Sequence, residues 1–359
     1  MPDKILFFEP ENRRETGFSL IELMISLSVF LIFIAAIYGV LRIANVQKST
    51  VNSQTDVMRN LRLSLNTIGR DAVNAGLGYS RIGGNMPDNL TNVRMGLPAD
   101  VNATPDLLTA VIGGDNINTN VFLTGGVRTD VIAFAQEDKT FGPPMGITDA
   151  AALNGNDLTL TAAPTTQVPN LFDLYFITEN DRTAMALVTT KTSNTSLQFQ
   201  TADPLGINAP YNGNANNKSR LTKCLNAAEV SCMNYTINAA GPSATAKKII
   251  WVSYSVTNDG TLIRTSYGNN KDGTAAQQIQ NQPIAYDIQN LQIRYLLRNG
   301  TFTNDPSAVG TNQLALNSVV QIQVTLTARI TVQENGVSVQ RPVDLKSTFS
   351  TKNLNYDVS

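Results

Sequence analysis

GFSLIELMISLSVFLIFIAAIYGVLRI, Gly17–Ile43, is the stretch that decides how this chain is built. From Leu23 to Leu41 it runs 19 residues without a charge or a proline. At about 1.5 Å per helical residue, that length crosses the hydrocarbon core of a bilayer. One carboxylate, Glu22, stands just inside the start of the run. A secretory signal has a shorter apolar core followed by a small-residue cleavage site; here the apolar run is too long and a carboxylate interrupts its beginning. A plain membrane anchor fits the length but gives Glu22 no purpose. An ionisable residue at the edge of lipid is costly to keep, and it marks a function.

Upstream, MPDKILFFEPENRRETG is mostly polar and closes with the charged cluster Arg13-Arg14-Glu15 before Thr16 and Gly17. The segment GFSLIE, Gly17–Glu22, followed by an unbroken apolar helix, resembles the N-terminus of type IV prepilins and of type II secretion pseudopilins. The resemblance implies a leader, residues 1–17, removed by a membrane-embedded prepilin peptidase that cuts between Gly17 and Phe18. The same enzyme N-methylates the new amino group of Phe18. A residue without a side chain before the cut lets a protease approach the backbone closely. The resemblance gives Glu22 a role in assembly, pairing with the N-terminal amine of an adjacent subunit. A lone carboxylate in an apolar bundle is unfavourable, and pairing relieves it. Arg13 and Arg14 favour a cytoplasmic N-terminus, although Arg42 and Lys48 beyond the helix weaken that bias. The expected location is a single-pass inner-membrane protein with an extracytoplasmic body, later part of a surface filament.

Past Ile43 the chain turns polar but stays free of proline and glycine up to Gly69. Val57, Leu61, Leu65, Ile68 and Ala72 recur at helical spacing, so one stripe is expected to be buried. Gly76 and Gly78 end the pattern. The expectation is one helix from Phe18 to about Ala75, roughly 85 Å long, spanning membrane or filament core over 18–43 and amphipathic over 44–76. The segment LNTIGRDAVNAGLG, Leu65–Gly78, resembles a stretch of PilW-like minor pilins through Arg70, Asp71, Ala75 and Gly76. An Arg-Asp pair on a helix is also an ordinary solvated feature, and neither residue is given a site role.

Residues 77–359 read as a β-rich extracytoplasmic domain, making the fold class α+β. A glycine- and asparagine-rich connector is expected up to about residue 118, then strands between turn-rich stretches. The first group is Thr129–Ala135, Asp157–Thr161, Asp173–Thr178, Met185–Thr190 and Ser196–Gln200. The second is Ile249–Val256, Leu262–Tyr267, Leu291–Leu297, Val319–Val332 and Val343–Thr351. VVQIQVTLTARITV, Val319–Val332, alternates cleanly, which predicts one buried face. Asn258-Asp259-Gly260 predicts a hairpin turn. YDIQNLQIRYLLRNG, Tyr286–Gly300, with the segments around VTLTARI and STFSTKNL, also resembles PilW-like proteins. The middle of the chain has no such match and is read as an extra β lobe at about 119–245.

Charged residues are only 15% of the chain and the net charge is −1, so no basic face for nucleic acid is implied. There is no histidine, which removes the commonest general base and metal ligand. Cys224 and Cys232 have seven residues between them and are too few for a zinc cage. In an oxidising compartment they are expected to form a short local disulfide, with two free buried thiols as the alternative. Asn269, Lys271, Asp272 and Gly273 form an incomplete calcium-loop pattern and read as a turn. Trp251 reads as core. No nucleophile or phosphate-binding motif is present, so neither an enzyme, a cofactor nor a metal is expected.

Three functions follow from the resemblance: a PilW-like minor pilin of a type IV pilus, a secretion pseudopilin, or a pilus-tip adhesin. The partners it implies are prepilin peptidase, other major and minor pilins and an inner-membrane assembly platform.

Overall fold

One helix, α1 (Leu20–Asn74), runs uninterrupted for 55 residues in the computed structural model of the protein. The structure describes residues 17–80, 83–99, 106–149, 157–160, 162, 167–179, 182–200, 202–208, 244–304, 319–334 and 337–354. Serines inside the apolar run cause no unsatisfied donors. Ser26 and Ser28 donate to the carbonyls of Glu22 and Met24 at 2.7 and 2.8 Å, one turn back. The N-terminal part of α1 is long and apolar enough to cross a membrane, and none of that stretch is buried against the body.

The other half of α1 is part of the core. Leu61, Leu65, Ile68 and Ala72 are fully buried, and Val57 packs partly against the same cluster. This is the stripe expected from the spacing. Gly69 lies in it because the Phe349 ring occupies the space a Cβ would need. The helix ends after Asn74, and Gly76 and Gly78 take positive φ of 80° and 65°. The chain then joins a strand: Gly76 N–H donates to Ala135 O and Glu137 N–H to Leu77 O, both at 2.9 Å.

The body contains β1 (Gly84–Met86), a short helix α2 (Leu90–Met95), β2 (Asp106–Leu108), β3 (Val111–Asn118), β4 (Thr129–Glu137) and β5 (Met145–Asp149). There follow β6 (Asp157–Leu160), β7 (Leu174–Glu179), β8 (Arg182–Leu187), β9 (Thr190–Lys191), β10 (Ser196–Gln198) and β11 (Ala244–Val256). The last six are β12 (Leu262–Tyr267), β13 (Ile279–Ala285), β14 (Ile288–Leu297), β15 (Phe302–Thr303), β16 (Val319–Glu334) and β17 (Val337–Ser350). Every described pairing is antiparallel. The architecture is α+β, a long apolar helix packed on a large β-rich body, as expected.

β11 is the hub of an 11-stranded sheet. Its first residues, Ala244–Lys248, pair with β7, and Ala246 and Thr245 also meet β5. Its later residues pair with β4 on one side and β12 on the other. The strand therefore feeds two apolar clusters. Ile249, Trp251, Val252, Tyr254 and Val256 enter the main core. Ala244 and Ala246 enter a second cluster with Phe141, Ile147, Tyr175, Leu197 and Phe199. A separate four-stranded sheet, ordered β15-β14-β16-β17, lies against α1 through β16 and β17. Along β16, Ile322, Val324, Leu326, Ala328 and Ile330 are buried while their neighbours are not, as the alternation predicts. The turn at Asn258-Asp259-Gly260 joins β11 to β12, with Gly260 at φ 84°.

The connector expected up to about residue 118 needs correcting, because it holds β1, α2, β2 and β3. β3 reads VIGGDNIN, and glycines and asparagines hide a strand whose Val111 and Ile112 are buried. Its Gly114 is required by packing, since Leu97 and Ile117 fill the Cβ position.

Asp130 on β4 ties the two sheets together. It accepts from Asn116 N–H on β3 at 2.9 Å and from Ile293 N–H on β14 at 2.7 Å. Burial pushes its carboxyl up to about 7; those amides oppose the rise and nearby Asp115 adds to it. The folded state thus holds the proton that the unfolded chain gives up from about 3.8 upward. This contribution to stability is full below pH 4 and is lost as pH rises through about 7. Asp130→Asn is expected to flatten that slope. Between pH 5 and 7.5, wild type should lose on the order of 2 kcal/mol relative to the variant. Urea unfolding followed by the fluorescence of Trp251, the single tryptophan, measures the difference.

Candidate functional site

Gly17, Phe18 and Ser19 precede α1 in non-helical conformation, with Ser19 at φ −67° and ψ 140° as the N-cap. An extended backbone is the form a protease active site takes hold of. Nothing lies within 4 Å of a Cβ built on Gly17, and Phe18 is 85% exposed. Among the described residues, little covers the Gly17–Phe18 bond.

Glu22 sits in the first turn of α1 and reaches back to the cap. Ser19 N–H donates to its Oε2 at 3.1 Å. The carboxylate satisfies one of the free amides at the helix start, where the helix dipole favours negative charge. From this point Leu23, Met24, Leu27, Phe30, Leu31 and Phe33 are all exposed, as are the other large apolar residues through Ile43. Glu22 thus stands at the tip of an uncovered apolar rod, with an exposed amide as its partner.

At the other end of the helix the structure gives a role to Asp71, to which the sequence assigned none. Asp71 is 3% exposed. Its Oδ2 accepts from the Tyr254 hydroxyl at 2.5 Å and from Arg264 Nε at 2.9 Å. Arg264 also donates to Ser266 Oγ at 2.9 Å. Burial, then the Asp71 charge, pushes the Tyr254 hydroxyl far above its usual range, so it stays protonated and donates. The solvated reading of the Arg-Asp pair holds only for Arg70, whose side chain is 68% exposed and 3.7 Å from Asp71. The missed signal was positional: Asp71 is three residues after Ile68, inside the buried arc of α1.

Asn269 does structural work, accepting from Leu174 N–H at 3.0 Å and donating to Ile249 O at 2.8 Å. Trp251 is fully buried and stacks on Tyr267 with ring centroids 4.0 Å apart. Among the described residues, no three His, Cys, Asp or Glu side chains converge as a metal site. Cys224 and Cys232 lie outside the described residues.

Residues 12–38 match the prokaryotic N-terminal methylation motif. The chain carries a prepilin methylation motif. The motif covers Gly17, Phe18, Glu22 and most of the apolar run, and it implies processing by a prepilin peptidase and assembly with other pilins. A solved type IV-like pilin from Thermus thermophilus matches over 34% of this chain and 74% of its own, at 13% identity and a TM-score of 0.21. An overlap that small supports no residue-by-residue correspondence. No curated protein matches the chain.

Proposed function

We propose that this chain is a minor subunit of a type IV pilus, a structural protein of PilW-like kind. The observation that carries the reading is the methylation motif over residues 12–38, continued without a break by α1 into a β-rich body. In this reading the leader, residues 1–17, is removed and Phe18 becomes the N-methylated terminus. Residues 18–43 anchor the subunit in the inner membrane and later pack in the filament core. Residues 44–76 carry the helix into the extracytoplasmic domain, 77–359, with a lobe at about 119–245. That domain holds Cys224 and Cys232, which pair as a local disulfide in an oxidising compartment.

Glu22 acts at assembly. Among exposed neighbours its bond to the Ser19 amide is sufficient. When the apolar rod is buried among others, one backbone amide no longer offsets the cost of the charge. The methylated amine of Phe18 on an adjacent subunit supplies a cation at the matching depth. The pairing fixes axial register between subunits.

Deleting the gene in its host distinguishes a pilus from a secretion pseudopilus. The expected result is loss of surface filaments with protein secretion intact. Intact filaments with failed secretion would instead make it a pseudopilin. Removing only the lobe tests a tip-binding role: normal filaments that no longer bind surfaces would assign it to adhesion.

A further inference from the structure

Asp173 and Lys248 form a pair that the fold has taken out of water. Lys248 Nζ lies 2.8 Å from Asp173 Oδ1, with the aspartate side chain fully buried and the lysine 9% exposed. Asp173 immediately precedes β7, and Lys248 is on β11 opposite Tyr175. The Phe141 ring centroid is 5.1 Å from Nζ, and that ring packs edge-on against Tyr175. The two carboxylate oxygens have different surroundings. Oδ2 accepts from Asn170 N–H at 2.8 Å and from the Tyr175 hydroxyl at 3.4 Å. Oδ1 makes no hydrogen bond of ordinary geometry, although Nζ is beside it. Burial pushes the Asp173 carboxyl up, against the opposing pull of Lys248.

We propose that Asp173 and Lys248 condense into an intramolecular amide that staples β7 to β11. Transfer of a proton from Nζ to Oδ1 across the 2.8 Å contact gives a neutral amine and a neutral acid. The amine is then a nucleophile. Nζ attacks Cγ and the C–N bond forms. Negative charge develops on Oδ2, where Asn170 N–H and the Tyr175 hydroxyl are already in place to hold it. A second proton moves from Nζ to Oδ1, the Cγ–Oδ1 bond breaks and water leaves. Acid plus amine gives amide plus water, with no oxidant or reductant. The burial of both side chains keeps out the water that would reverse the reaction. The product closes the chain between the two residues into a covalent loop, so β7 cannot peel from β11 under load.

The test is mass spectrometry of the purified full chain, reduced and denatured. The expected intact mass is lower than the sequence requires by one water. Tryptic digestion should give a branched peptide joining the segment with Asp173 to the segment with Lys248, and cleavage after Lys248 should be lost. Lys248→Arg keeps the charge but cannot form the amide, and Asp173→Ala removes the acid. Each should restore the missing water. The wild-type map decides the matter even if neither variant folds. A full mass with separate linear peptides would show an ion pair only, and a water lost elsewhere in the chain would equally overturn the proposal.

Discussion

Glu22→Ala is expected to yield a subunit that is cut and methylated normally and is missing from filaments. The expected cut lies upstream, at Gly17–Phe18, while the hydrogen bond of the Glu22 carboxylate is to the Ser19 amide. Assembly is different. A buried charge pair in an apolar bundle that loses one partner leaves the other uncompensated, at a cost of several kcal/mol. The subunit content of sheared filaments should therefore fall about tenfold or more, since roughly 1.4 kcal/mol is a factor of ten. Glu22→Gln separates the two roles the structure offers this side chain. Glutamine can still accept the Ser19 amide, as Glu22 does at 3.1 Å, but it carries no charge. Failure of both variants assigns the effect to charge pairing. Recovery with glutamine would make helix capping the role of Glu22, and normal incorporation of the alanine variant would make the charge incidental.

The second large effect is at the far end of α1. Asp71→Ala is expected to destabilise the body by about 3 kcal/mol, because it leaves Arg264 partly buried without its counter-charge. As a donor the Tyr254 hydroxyl would retain only the Thr67 carbonyl, at 3.3 Å, while still accepting from Arg264 Nε at 3.1 Å. Asp71→Asn keeps an acceptor for the hydroxyl and should cost about half as much. Arg70→Ala, one residue away, should change stability by less than about 0.5 kcal/mol, because an exposed pair contributes little. Denaturant midpoints followed through Trp251 fluorescence compare the three. Equal effects of Asp71→Ala and Arg70→Ala would remove the claim that this carboxylate fastens helix to sheet.

These two residues also mark where the sequence was readable. Glu22 was legible because it interrupts an apolar run, and a lone charge in such a run has few explanations. The buried stripe from Val57 to Ala72 was legible because helical spacing dictates which side chains share a face. β16 was legible because strict alternation has only one structural meaning. Asp71 was not, because its role depends on Tyr254 and Arg264, nearly two hundred residues away in the chain. β3 was hidden by Gly113, Gly114 and its asparagines, which the pairing with β4 overrides. The shared use of β11 by two apolar clusters was also hidden, since one continuous strand gives no local sign of a change in partner.

The most direct test of the central claim is the mass of the mature N-terminus, measured on protein recovered from a host that has a prepilin peptidase. The expected first residue is N-methylated Phe18, with Met1–Gly17 gone. An intact Met1 terminus, or a cut near Ala36 within the apolar run, would contradict it.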